Sequence, residues 1–258
     1  MLFQIKSFLK FLSKSTNQHG VHSPFVFDLT TKCFYTKTTS HIKDKISIYR
    51  KELDSNTCII SVTDFGKGSR VFKSNKRAVN KIAKVAGISK KRSELLIRFT
   101  EYFKPKNILE IGTSLGIGTA SLALGKNNAN IISLEGCPST ANVAIQQLKK
   151  HNFHNVEVKI GDFKNTLKDT LNQKNFDLIY FDGNHQKEPT ILYFEECLGN
   201  VHNESVFIFD DIHWSEEMQE AWEYIKNHPK VTVTIDSYFW GFVFFRKEQV
   251  KEHFVIRI

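Results

Sequence analysis

From residue 107 onward the chain alternates short apolar runs with stretches of helical period. The runs at 108–111, 131–135, 156–162, 176–182 and 205–211 are rich in Ile, Val, Leu and Phe and have the length of buried strands. Between them, 119–124, 139–151, the stretch up to Leu171, 189–198 and 215–227 read as helices. The last of these has both ends marked, Ser215 as a cap and Pro229 as a stop. Two further runs, 231–236 and 242–246, are joined by a link too short to hold a crossover helix, which predicts a hairpin. The first hundred residues lack clear alternation and read as helices and loops. Within them 74–103 is helical with a break at Gly87, ending at Lys104-Pro105. Residues 58–64 read as a short strand running into Asp64-Phe-Gly-Lys-Gly-Ser-Arg70, a turn or a flap over a ligand. Strand–helix alternation of this kind predicts an α/β fold with a doubly wound, mostly parallel sheet and right-handed crossovers. It divides the chain into an N-terminal helical extension or lid, 1–92, and a main domain, 93–258.

Composition narrows the setting. At 258 residues the chain can bury a full core. Its four cysteines, Cys33, Cys58, Cys137 and Cys197, have no paired spacing, which argues against a zinc site or a disulfide framework and for a reducing, cytoplasmic setting. The apolar N-terminus is interrupted by Lys6 and Lys10, so it reads as an amphipathic helix packed on the protein rather than a secretion signal. No run is long enough to span a bilayer. His19 and His22 lie three apart with no further ligand nearby in sequence, which favours a hydrogen-bonded loop over a metal site. The formal charge of +9 is regional: 67–98 holds eleven bases against one acid, Glu94, and the remainder is about neutral. Such a segment is either a solvated helical face or a field that attracts anions, nucleic acid or acidic lipid.

The chemistry gathers at the ends of the strands. The run Ile108-Leu-Glu-Ile111 stops at Gly112, Gly116 and Gly118, and a helix pattern follows. Glycine suits a turn that needs positive φ or close approach of a ligand, and the helix start offers unpaired N–H groups. The order of residues, with Glu110 ahead of the first glycine, is not the dinucleotide fingerprint. Further carboxylates close the next strands: Glu135, Asp162, Asp182 and the pair Asp210–Asp211. Ligands of open α/β sheets bind beyond these strand ends, and acids clustered there repel one another without a cation or donor partner.

The Glu110-x-Gly112-x-x-x-Gly116-x-Gly118 pattern resembles the first motif of class I S-adenosylmethionine-dependent methyltransferases. That resemblance implies a seven-stranded Rossmann-like sheet with an antiparallel last strand. It assigns Glu110, Gly112, Thr113, Ser114, Gly116 and Gly118 to the methionine side of the cofactor, and Glu135 and Gly136 to its ribose. Gly161, Asp162 and Phe163 fall on the adenine side, with Asp182 nearby; a helix cap for Asp162 and a core role for Phe163 serve equally well. Asp182-Gly-Asn-His185 and Asp210-Asp211 are similar to the metal-assisted small-molecule O-methyltransferases of the catechol and macrocin type. There, acids at the positions of Asp182, Asp210 and Asp211 hold Mg²⁺, which lowers the pKa of a hydroxyl and orients it. His185 stands where the catechol type has a lysine base, and Asp211 where it has Asn. A histidine base is chemically apt, while a loop histidine bonded to Asp182 is the plain alternative, as helix capping is for Asp210–Asp211. His213, Trp214, Tyr238 and Trp240 could face the substrate or pack in the core. The implied reaction is methyl transfer to a hydroxylated small molecule, with a homodimer as a candidate assembly. The alternatives are a nucleic-acid methyltransferase using 67–98 and a non-catalytic binder of the cofactor.

Overall fold

The computed structural model describes residues 2–63 and 72–258, so the loop at 64–70 lies outside the described residues. The N-terminal part holds α1 (Leu2–Lys14), α2 (Pro24–Leu29) running into a π-helical turn at Thr30–Phe34, and α3 (Ser40–Ser55). A small antiparallel ribbon, β1 (Ile59–Ser61) with β2 (Lys76–Ala78), leads to α4 (Val79–Ala86) and α5 (Lys90–Phe103). Local chemistry sets these ends. Ser23 Oγ accepts the Val26 amide with Pro24 in the first turn, Ser89 Oγ accepts the Arg92 amide, and Gly87 separates α4 from α5.

The alternating part follows as β3 (Asn107–Ile111), α6 (Ile117–Gly125), β4 (Asn130–Glu135), α7 (Pro138–Lys150), β5 (Val156–Ile160) and α8 (Phe163–Leu171). Then come β6 (Leu178–Phe181), α9 (Lys187–Cys197), β7 (Val206–Asp210), α10 (Glu216–Asn227), β8 (Val233–Asp236), β9 (Trp240–Phe244) and β10 (Glu252–Val255). The expected Ser215 cap is in place, its Oγ accepting the Met218 amide at 3.2 Å. All main strands but β9 run parallel in an eight-stranded sheet of order β10-β8-β9-β7-β6-β3-β4-β5. The expected β8–β9 hairpin is present. The antiparallel strand is not the last, however, and the strands number eight rather than seven. β10 returns beside β8 at the edge, and its end ties down the N-terminus through a bridge between Thr16 and Ile256.

The central strands β3, β4, β6 and β7 are buried on both faces over nearly their whole length, as a sheet covered by helices on both sides requires. Ile108, Ile131, Leu178, Tyr180, Ile208, Phe242 and Phe244 pack with the N-terminal helices, α5 and α6. Leu109, Ile111, Leu134, Ile179, Phe181, Phe207 and Phe209 pack with α8, α9 and α10. The extension therefore contributes Val26, Leu29, Ile46, Tyr49, Leu96 and Phe99 to one of the two cores of the main sheet.

Candidate functional site

The β3–α6 turn is built by close approach. Gly112 has φ +111°, and a Cβ there would overlap the Asp182 carbonyl and lie 2.9 Å from the Gly183 nitrogen. Gly116 caps α6 at φ +77°, where a Cβ would sit 2.6 Å from the Tyr49 hydroxyl. That hydroxyl donates to Leu115 O at 3.0 Å, so α3 of the extension buttresses the turn. Glu110 is fully buried beneath it: Ser133 Oγ (2.5 Å) and Thr119 Oγ1 both donate to Glu110 Oε2, while Oε1 has no partner. Burial pushes this carboxyl from 4.5 up to about 7, against the opposing pull of the two hydroxyls.

A cavity of about 1260 Å³ opens over the carboxyl ends of the strands. Of the residues expected at the cofactor, Gly112, Ser114, Glu135, Gly136, Asp162, Phe163 and Asp182 line it. Glu110, Thr113, Gly116, Gly118 and Gly161 do not; Thr113 and Gly118 border a much smaller void beneath Ser114. Glu110 thus supports the turn from within the core and does not line the cavity. Glu135 accepts the Ser114 amide at 2.7 Å and the Cys137 amide at 2.9 Å, which fixes it against the β3–α6 turn. Asp162 caps α8 through the Lys164 amide, and the Phe163 ring lies over Gly183. Both alternatives open for Asp162 are thus compatible, since one carboxylate can cap the helix and still face the cavity.

Strain gathers at the same place. Of the seven described non-glycine residues with positive φ, five line the cavity: Ser114, Asn184, His185, Asp211 and Tyr238. Such conformations each cost on the order of 1–3 kcal/mol and persist where surrounding contacts enforce them.

Opposite the glycine turn, Asp182, Asp210, Asp211 and His185 converge with Arg92 from the first turn of α5. Arg92 Nη1 donates to Asp210 Oδ1 at 2.8 Å and stands 4.0 Å from Asp211 Oδ1. Asp210 Oδ1 also accepts the Asp211 amide at 2.9 Å. Asp182 Oδ2 accepts the Tyr180 hydroxyl at 3.1 Å, and its Oδ1 is 3.6 Å from His185 Nε2. Burial first, then the charge of Asp210, drives the Asp182 carboxyl well above the usual range and raises Asp211 to about 6. Among the described residues, no three His, Cys, Asp or Glu side chains are disposed to hold a metal ion. The acids expected as Mg²⁺ ligands do meet, but Asp210 is already engaged by a guanidinium, and this donor set does not fit a divalent ion.

The far wall comes from α1, which packs on the protein as expected. Ser7 Oγ is 3.0 Å from His213 Nδ1, whose Nε2 is 2.7 Å from Asp236 Oδ2. Tyr238 stacks on His213 and donates to Gln4 O. His213, Trp214 and Tyr238 line the cavity, whereas Trp240 is a core residue packed against Tyr180. His213→Ala should release α1, at roughly 1–3 kcal/mol for buried partners left unpaired. Limited trypsin digestion should then cut at Lys6, Lys10 and Lys14 several times faster, and unchanged cleavage would mean the contact does not hold the helix. Arg92, Ser7, Tyr49 and Asp236 were not evident as site residues in the sequence. The basic segment is in part internal: Arg92 serves Asp210, and Arg98 donates to Cys33 O, Phe34 O and Thr38.

Residues 109–212 match the model of a family described as a methyltransferase domain. Solved structures with similar folds include the S-adenosylhomocysteine-bound methyltransferase PaMTH1 of Podospora anserina (15% identity, 86% of this chain and 94% of that one, TM-score 0.61). Others are an O-methyltransferase of Bacillus cereus with S-adenosylhomocysteine (19%, 85% and 96%, 0.56) and the O-methyltransferase TomG of Streptomyces achromogenes with S-adenosylmethionine (16%, 83% and 93%, 0.57). At these identities the likeness is one of fold. No curated protein matches the chain in sequence. Residues 109–212 thus match a methyltransferase domain, and the sheet that holds them has the fold of these methyltransferase structures. The resemblance to class I methyltransferases drawn from the glycine turn stands. No helix among the described residues is long and apolar enough to cross a membrane.

Proposed function

We propose that this chain transfers a methyl group from S-adenosylmethionine to a hydroxyl oxygen of a small molecule. The observation that carries the reading is the two-sided cavity. Gly112, Ser114, Glu135, Gly136, Asp162 and Phe163 form one end; Arg92, His185, Asp210, His213 and Tyr238 form the other. Ligand pockets commonly run to about 300–1,000 Å³, so a space of about 1260 Å³ has room for a cofactor and an acceptor together. Glu135 suits the ribose hydroxyls and Phe163 the adenine face. The acid and histidine end would then be the place where the acceptor meets the methyl group.

His185 is the proton acceptor in this reading. As the acceptor oxygen forms its bond to the methyl carbon, the carbon–sulfur bond breaks, leaving S-adenosylhomocysteine, and the hydroxyl proton passes to the His185 imidazole. Asp182, beside that ring, orients it. The apolar rim indicates an acceptor with apolar surface: Ile5, Phe8 and Leu9 of α1, Val85 of α4 and Phe239 all line the cavity while remaining more than 40% exposed. Incubation with methyl-labelled S-adenosylmethionine and a panel of phenols and apolar alcohols tests this. Label should enter an O-methyl ether, and His185→Ala should lower the rate about 10²-fold or more. Cofactor binding without transfer to any hydroxylated compound would favour the non-catalytic alternative.

A further inference from the structure

We propose that the Arg92 guanidinium stands where a divalent ion would stand in the acid cluster, so that Asp210 and Asp211 hold an arginine instead of a metal. This rests on the cavity being the cofactor and acceptor site. A hard ion such as Mg²⁺ asks for oxygen ligands at about 2.0–2.1 Å in near-octahedral array, and each coordinating lone pair must be free to turn toward it. Here Asp210 Oδ1 is taken twice, by Arg92 Nη1 at 2.8 Å and by the Asp211 amide at 2.9 Å. Asp182 Oδ2 accepts the Tyr180 hydroxyl at 3.1 Å. Asp211 Oδ1 faces the same guanidinium nitrogen at 4.0 Å. One cation therefore already sits between the carboxylates, and it is bonded to the chain.

Arg92 is not a surface side chain resting on the cluster. Its side chain is 24% exposed, the Phe239 ring lies 5.3 Å from its guanidinium carbon, and its backbone amide is fixed by the Ser89 cap of α5. Its planar fork carries five N–H donors, and Asp210 uses one of those on Nη1. A donor turned toward the cavity can meet the acceptor oxygen and favour its ionised form, as a fixed positive charge does. Unlike a metal, it does so without an exchangeable ion and at every pH in which the protein folds.

The test is Mn²⁺ titration of the full chain saturated with S-adenosylhomocysteine, followed by paramagnetic resonance of free Mn²⁺ and by calorimetry. The native chain should take up no stoichiometric Mn²⁺. Arg92→Ala, which leaves the acids facing one another, should bind one Mn²⁺ per chain, on the order of tenfold tighter or more. Arg92→Gln, closer in size, repeats the measurement should the alanine variant fold poorly, and Asp210→Asn in the Arg92→Ala background should abolish the gain. Stoichiometric uptake by the native chain that Asp210→Asn removes would overturn the proposal, as would failure of both Arg92 variants to gain Mn²⁺. The calorimetric titration of S-adenosylhomocysteine alone separates this from the cofactor reading. Its loss in the native chain would count against the cavity assignment, whatever Mn²⁺ does.

Discussion

Gly112→Ala should lower stability by on the order of 3 kcal/mol or more and remove binding of S-adenosylhomocysteine. Two effects add at this position. The backbone sits at φ +111°, a conformation that L side chains rarely adopt, and the new methyl would overlap the Asp182 carbonyl. Neither neighbour can give way easily, because both are backbone: Asp182 N donates to Ile111 O at 2.9 Å and Gly112 N to Leu134 O at 2.9 Å. Relief would have to come from parting β3 and β6, which carry opposite ends of the cavity. For a chain of this size each kcal/mol moves the melting temperature by about 2–4 °C, so a fall of roughly 6–12 °C is expected. Gly199→Ala is the control, since a Cβ there meets nothing within 4 Å. Similar melting temperatures for the two variants would contradict the close approach of the two turns.

The second large effect is a loss of stability as pH rises, centred on Glu110. Its carboxyl titrates at about 7 in the folded chain against 4.5 ordinarily, chiefly because it is buried. Between those values the folded protein keeps a proton that the unfolded chain has released, so stability falls with increasing pH across that window. The full difference is about 3 kcal/mol, reached above pH 7. The unpartnered Oε1 explains the direction, since a charged oxygen there would have no donor to replace water. Asp182 and Asp211, also raised, act in the same sense. Urea unfolding between pH 5 and 8 should show the decline, and Glu110→Gln, which stays neutral, should flatten much of it. Stability rising through that range, or the same slope in both proteins, would contradict a neutral buried Glu110.

The parallel strands and the glycine turn were legible because both obey local rules. A buried parallel strand is apolar at nearly every position, and one that stops at glycines spaced in this way must turn sharply into the helix that follows. β10 was missed because Glu252-His-Phe-Val255 is a four-residue edge strand with two exposed polar positions, so its apolar signal is half that of a central strand. Glu110 was expected at the cofactor because its place ahead of the glycines resembles the first methyltransferase motif. Its side chain shares the Ile108 face of β3, where it is buried, and does not line the cavity. The Arg92–Asp210 pair spans 118 residues, and no local pattern announces it. In the sequence Arg92 is one of eleven bases in a run, and only the fold shows that Arg92 and Arg98 make internal hydrogen bonds while the described lysines of the run stay exposed.

The central claim is that the cavity over Gly112 and Glu135 holds the adenosyl cofactor. Calorimetric titration of S-adenosylhomocysteine into the purified chain tests it most directly. One molecule should bind per chain, and Glu135→Ala should weaken binding by about 100-fold, the loss of close to 3 kcal/mol of charge-assisted hydrogen bonds. No heat of binding and no rise in melting temperature at saturating ligand, or equal affinity in the Glu135→Ala variant, would contradict it.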